Sequence, residues 1–312
     1  MNLAPTAVEL IGTGLFAVAV LHTFCTGYFE HLARRSTRHA GVWHLLGEVE
    51  VVFGFWALVL VLCMAAISGT QPAITYLEQQ NFTEPLFVFV ILVMAGSRPI
   101  LSATRALIDA IERRLPLPAT LAGYFLTLTL IPLLGSFITE PAAMTLAALI
   151  LRERFYARGL STRFEYATLA VLLVNVSIGG VLTPYAAPPV LMVASTWGWD
   201  IGFMSSVFGW KAALAVLLNA GIFAVLFRRE LTDLPPPILA PEPPVVPFAV
   251  IAVHLLFLLG TVLTSHQPAA FIGLFLFFLG YTEAYRRHQD GLLLREGLLV
   301  GFFLAGLVVL GK

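Results

Sequence analysis

Apolar residues fall into nine runs along this chain: Ala7–Tyr28, Val49–Ser68, Pro85–Leu107, Ala119–Leu151, Tyr166–Ala194, Ile201–Phe227, Phe248–Thr264, Ala269–Ala284 and Gly297–Leu310. Several reach the roughly 18–20 residues that cross a bilayer. The pattern predicts an all-α polytopic membrane protein.

Arginines orient these runs. Arg34, Arg35 and Arg38 follow the first run, whereas 69–84, the next connection, contains no Lys or Arg. Arg105, Arg113 and Arg114 lie at and after the end of the third, Arg228 and Arg229 follow the sixth, and Arg286, Arg287 and Arg295 follow the eighth. The connections 197–200 and 265–268 have none. The positive-inside rule then places the N-terminus outside and the arginine-bearing loops in the cytoplasm.

The central run breaks this alternation. Arg113 and Arg114 precede it, and Arg152, Arg154, Arg158 and Arg163 follow it. A single crossing would put four arginines outside and invert every later loop. As one helix, the 34 residues 118–151 would run about 51 Å, too long for one span. Two full spans would need about 40 residues. A re-entrant hairpin over 118–151 satisfies both length and charge, its two half-length helices meeting at Gly135–Pro141. Glu140 lies in that tip and is the only charged residue between Arg114 and Arg152. A carboxylate at mid-membrane costs about 2.5 kcal/mol or more, so a partner or a task is expected for it.

The next run, 166–194, carries Asn175, Ser177, Gly179, Gly180, Thr183, Pro184, Pro188 and Pro189. Proline removes a backbone donor, and paired glycines weaken a helix. The expected form is a broken span: a half-helix to about Ile178, an unwound bend over Gly179–Thr183 and a restart near Pro184. After the sixth span, 201–227, residues 231–247 hold seven prolines, the composition of a linker. The expected division is a first transport repeat over 1–230, a cytoplasmic linker over 231–247, and three further spans over 248–312.

Composition agrees. Of 312 residues, 59% are hydrophobic and only 12% charged, against about 45–50% and 25% in soluble domains. Mean hydropathy is +0.89. Formal net charge is zero, which gives no case for a nucleic-acid partner. Cys25 and Cys63 lack metal-ligand spacing and read as buried small hydrophobes. No basic stretch precedes the first run, so no cleaved leader is expected. There is no P-loop, HExxH or paired-cysteine signature, hence no expectation of an enzyme or a bound cofactor.

The interrupted segments Ser136-Phe-Ile-Thr139-Glu140-Pro141 and Gly179-Gly180-Val-Leu-Thr183-Pro184, the latter with Pro188-Pro189, resemble those of the ion transporter superfamily. Its members include sodium/proton antiporters, divalent-anion/sodium symporters and arsenite efflux proteins. Within it, "SFITEPAAMT" over Ser136–Thr145, with Trp197-Gly-Trp199-Asp200 and Phe208-Gly-Trp210-Lys211, is most similar to the sodium/proton antiporter subgroup. The resemblance implies two inverted repeats, each with a hairpin followed by a broken helix. Here the first repeat is complete and the second incomplete, since the chain ends where a second hairpin would begin. About eight full spans plus the hairpin and the broken helix are expected. Relatives carry Asn or Asp at the tip; here Glu140 supplies the charge.

The chemistry follows from the residue types. An exchanger needs a carboxylate that holds either the cation or a proton. Glu140 is that candidate, and Ser136, Thr139 and the carbonyls of Gly179, Gly180 and Thr183 are candidate Na⁺ ligands, because hard cations prefer oxygen. The competing role for Thr139 and Glu140 is a helix start before Pro141. Arg98, in Gly96-Ser97-Arg98-Pro99, is a candidate charge partner for Glu140 or the stabiliser of a helix break. Lys211 could pair with Glu140 or Asp200, or snorkel outward. Glu48 and Glu50 are candidates for admitting protons. His22, His254 and Glu283 read as packing or interfacial residues. Tryptophans 197, 199 and 210 mark the outer interface. The leading expectation is an inner (plasma) membrane transporter exchanging cytoplasmic Na⁺ for protons, its partners being the lipid bilayer and the transported ions. The alternatives are an anion carrier using Arg98, or a chain that works only as a homodimer or with a second half.

Overall fold

The computed structural model describes residues 7–36, 39–184, 186–187, 190, 193–194, 197–234 and 245–311. Every regular element among them is helical. Four helices are long and apolar enough to cross a membrane, or up to six if two bent pairs each count as one span. The eight full spans expected exceed that count. The chain divides into two compact units, residues 1–89 with 294–312, and residues 90–293. Arg38 and most of the proline-rich linker lie outside the described residues.

The first unit begins with α1 (Ala7–Thr23), α2 (Thr26–Arg35) and α3 (Ala40–Gly47). It continues with α4 (Val49–Ser68) and α5 (Thr70–Glu78) and includes α14 (Leu294–Leu310). The first apolar run is bent by 64° between α1 and α2, a break that its continuous apolarity concealed. Cys25 sits exposed at this break and Cys63 is half-buried on α4, so neither is the fully buried residue expected. The connection 69–84 holds α5, whose Tyr76 hydroxyl donates to the Val309 carbonyl at 2.6 Å. His22 is a tie rather than mere packing. Its Nε2 lies 3.0 Å from the Leu46 carbonyl, and its Nδ1 accepts from the Trp56 indole at 3.1 Å. That pattern requires the Nε2–H tautomer.

The closest approach in this unit is between α4 and α14. A Cβ added to Gly306 would lie 2.4 Å from the Gly54 nitrogen and 2.4 Å from the Phe53 carbonyl carbon. The Phe302 ring lies over Gly54 in turn, where a Cβ would be 2.2 Å from it. Small residues let helix backbones meet where lipid supplies no hydrophobic drive for association. Gly306→Val is expected to destabilise this unit by about 1–3 kcal/mol or more, because the obstructing atoms are backbone. A fall in melting temperature of the detergent-solubilised protein checks this; an unchanged melting temperature would refute the close crossing.

The second unit takes in the end of α6 (Thr83–Ala95), then α7 (Arg98–Glu112), α8 (Ala119–Ile138), α9 (Glu140–Arg154) and α10 (Thr162–Gly179). Residues Ile201–Leu226 form one 26-residue helix, α11, with a π turn at Ser205–Gly209. After it come α12 (Phe248–Leu263) and α13 (Pro268–Ala284). The third apolar run is not one helix. It bends by 67° between α6 and α7, where Ser97 stands at the start of α7 without a capping side-chain bond and Pro99 occupies its first turn. The helices α12, α13 and α14 have 16, 17 and 17 residues, at or just under the lower limit for a span.

The hairpin is present, with one difference. α8 and α9 reverse at Thr139 and return antiparallel: the Tyr124 ring near the start of α8 meets Phe155, just past α9, at 5.6 Å. However, α8 has 20 residues, about 30 Å and a full span rather than a half-length arm. The break itself falls inside the expected tip, Gly135–Pro141; what differs is the first arm, which runs on to Ile138.

Candidate functional site

The reversal is made by a single residue. Thr139 has φ 74° and ψ 153°, and it is the only non-glycine residue with positive φ among those described. A β-branched residue in that conformation is strained by about 1–3 kcal/mol and persists only where its surroundings impose it. Pro141, in the first turn of α9, lacks an N–H that would otherwise go unpaired at a helix start. Gly135 lets the two arms touch: a Cβ there would be 3.0 Å from that of Ala143.

The end of α10 packs along α8 at the same level. Ser136 Oγ donates to the Gly179 carbonyl and accepts from the Leu182 N–H at 3.0 Å. Thr183 Oγ1 donates to the Ser136 carbonyl, and the Glu140 N–H donates to the Ala186 carbonyl at 3.4 Å. α10 reaches Gly179 and tightens into a 3₁₀ turn over Gly180–Leu182, after which Thr183 is extended. The break is thus where expected, but Pro184, Ala186 and Ala187 lie in bends rather than in a restarted helix. Tyr185, Pro188 and Pro189 lie outside the described residues.

All six predicted ion-site residues meet here. Glu140 rests on Gly180, where a Cβ would be 2.7 Å from Oε1, so a glycine is what admits the carboxylate. The hydroxyls of Ser136 and Thr183 are engaged in stapling the two breaks together. Thr139 Oγ1 is different: the residue is fully buried and the oxygen has no hydrogen-bond partner among the described residues. Buried hydroxyls ordinarily have a partner, so an orphan asks for an explanation. Electrostatics point the same way. The C-terminal ends of α8 and α10 carry negative partial charge, the N-terminal end of α9 positive; Glu140 adds a full negative charge, and no ion pair of Glu140 appears among the described residues.

The predicted charge partners lie elsewhere. Arg98, at the start of α7, is 3.6 Å from Asp290. Lys211 sits over the Trp210 ring at 5.6 Å, and Asp200 caps α11 by accepting from the Phe203 N–H at 2.7 Å. Glu48 pairs with Arg295 and lies 3.4 Å from His44, while Glu50 is exposed. Glu283 is paired with Arg286 at 3.6 Å. Trp197 and Trp199 belong to an aromatic cluster with Phe203 and Phe208.

Two groupings escaped the sequence reading. Asn175 is fully buried, donating to the Leu128 and Val216 carbonyls at 2.8 and 3.3 Å and accepting from Asn219 at 3.0 Å. The proline at 132, inside an apolar run, was the available signal. At the hairpin base, Arg154 pairs with Asp109 and Glu112, and Glu153 with Arg105 at 3.0 Å. Positions 105, 109 and 112 share one helical face, but their counterparts on α9 could not be assigned from spacing. His254 likewise has partners, with Nδ1 2.8 Å from the Val250 carbonyl and Nε2 2.7 Å from Gln289.

Among the described residues no cluster of three His, Cys, Asp or Glu could hold a metal. The donors at the break are hydroxyls, carbonyls and one carboxylate, a set that suits a hard monovalent cation better than a transition metal. No curated protein and no solved structure matches this sequence. A family model described as "Putative Na+/H+ antiporter" matches residues 7–312. With the match running over essentially the whole chain, and the strained break and its carboxylate lying inside it, the chain belongs to this sodium/proton antiporter family of membrane transporters.

Proposed function

We propose that the protein exchanges cytoplasmic Na⁺ for external protons by alternating access, and that Na⁺ and the proton compete for Glu140. The observation that carries this reading is the buried Thr139 hydroxyl, without a hydrogen-bond partner among the described residues, beside the Glu140 carboxylate at a point where three helix ends meet. Na⁺ would take Thr139 Oγ1, the Glu140 carboxylate, the remaining lone pair of Ser136 Oγ, and carbonyls from Gly179, Gly180 and Thr183. Each is an oxygen, and broken helices that present carbonyls are a recurring way to hold a transported cation. A proton on Glu140 removes the charge that attracts the cation, so the two ions occupy the site in turn.

In this reading the hairpin base, with Arg152 and Arg154, faces the cytoplasm, and the N-terminus lies outside the inner (plasma) membrane. Residues 1–230 form a first repeat of three spans, hairpin, broken helix and sixth span. The linker then leads to 248–312, which adds three spans of the second. The membrane and the two transported ions are the partners, and no cofactor is required.

The test is dequenching of a pH-sensitive dye in respiring everted vesicles. Adding Na⁺ or Li⁺ is expected to release protons from the vesicle lumen and restore fluorescence. Verified insertion of the protein without any cation-dependent signal would overturn the proposal.

A further inference from the structure

α8 and α10 run parallel and meet at three levels with one constant offset. Asn175 bonds the Leu128 carbonyl, Gly179 lies against the Pro132 carbonyl, and Thr183 bonds the Ser136 carbonyl. The offsets 175 − 128, 179 − 132 and 183 − 136 are each 47, and successive levels are four residues apart, about one helical turn. The lowest level exists because of Pro132. Having no N–H, it leaves the carbonyl four residues earlier, Leu128, without its helical donor. The Asn175 amide supplies that donor, spends its second N–H on Val216 of α11, and has its own oxygen held by Asn219.

This bonding is directional, whereas the surrounding contacts of Leu172 and Val176 are apolar and tolerate rotation. A slip of α10 by one residue would turn its contact face by about 100°. It would carry Gly179, Gly180 and Thr183 away from Ser136 and Glu140. We propose that Asn175 is a positioning residue for the ion site: by answering the carbonyl that Pro132 frees, it sets the register that aligns the Gly179–Thr183 bend with Thr139 and Glu140. The proposal rests on the ion-site reading above. Asn175 does not touch the ion; it acts through the register of α10.

The experiment measures thermal stabilisation of the purified, detergent-solubilised full chain as a function of Na⁺, together with the Na⁺ concentration for half-maximal antiport in everted vesicles. Asn175→Leu leaves a buried carbonyl unanswered, and it is expected to raise both half-maximal concentrations about tenfold. Pro132→Ala restores the N–H. In that background the shift caused by Asn175→Leu is expected to shrink to less than about threefold, because the Leu128 carbonyl again has a helical donor. Asn219→Ala keeps the Leu128 bond and is expected to shift half-saturation by only about twofold. If Asn175→Leu alone fails to fold, Asn175→Leu in the Pro132→Ala background is the reporter, and a shift of about tenfold or more there would overturn the route through Leu128.

A lower melting temperature with unchanged Na⁺ half-saturation would make Asn175 merely structural and overturn the positioning role. An equal shift in both backgrounds would overturn the route through Leu128. Wild-type protein with no Na⁺ response in either assay would instead overturn the ion-site reading, and the positioning role with it.

Discussion

Glu140→Gln is expected to abolish the cation-dependent fluorescence recovery of everted vesicles while leaving insertion and expression intact. The substitution keeps the volume of the side chain and one carbonyl oxygen over Gly180, so the packing that admits Glu140 is preserved. What it removes is the negative charge and the proton-binding group, both of which an exchanger needs at one atom. Two unit charges about 4 Å apart interact by roughly 4 kcal/mol at the effective dielectric of a protein site. Losing even part of that attraction lowers Na⁺ occupancy well over tenfold. Glu140→Asp, which retains charge on a shorter arm, is expected to keep coupled exchange with weaker Na⁺ dependence. The sign of the Gln result matters most: undiminished, Na⁺-dependent proton release would remove Glu140 from the mechanism. If the only duty of Glu140 were to start α9, Gln would serve nearly as well, so exchange would persist.

Gly179→Ala is expected to have the second largest effect. An added Cβ would lie 2.4 Å from the Pro132 oxygen, 2.6 Å from its carbonyl carbon and 3.1 Å from the Leu133 nitrogen. Those atoms belong to a helix backbone and cannot rotate away as a side chain would. The helices must separate, at a cost of about 1–3 kcal/mol or more, and the Ser136 bond to the Gly179 carbonyl is pulled open with them. The expected result is a lower melting temperature together with antiport near background. Gly273→Ala on α13 is the internal control. No atom lies within 4 Å of its added Cβ, so the helix gains propensity without a clash and stability is unchanged or slightly higher. Equal melting temperatures for the two variants would refute the close contact of α10 with α8.

Much of the molecule was legible from residue order because membrane insertion imposes simple rules. Apolarity over a span length predicted α4 with its observed bounds, Val49–Ser68. Arginines on both sides of a single long run required the hairpin, and Gly-Gly followed by Thr-Pro located the end of α10. These are local or one-dimensional facts. The bend at 24–25 was hidden for the same reason, since hydropathy carries no information on direction, whereas Gly96-Ser97-Arg98-Pro99 had marked a helix break where α6 and α7 bend.

The sequence by itself thus determined the class of fold, the two interruptions and the residues that converge on them. Only the tertiary structure decided which atoms are left over. Ser136 and Thr183, equal to Thr139 as ligands on paper, spend their hydroxyl protons joining α8 to α10. Thr139, twisted to positive φ at the reversal, has its oxygen buried with no partner among the described residues. Arg98 finds Asp290, and Arg154 finds Asp109 and Glu112, pairs separated by tens to hundreds of positions in the chain. Hydrogen bonds and ion pairs are satisfied over a few ångströms, and which groups come that close is set by how helices register, a property that periodicity along one segment does not contain.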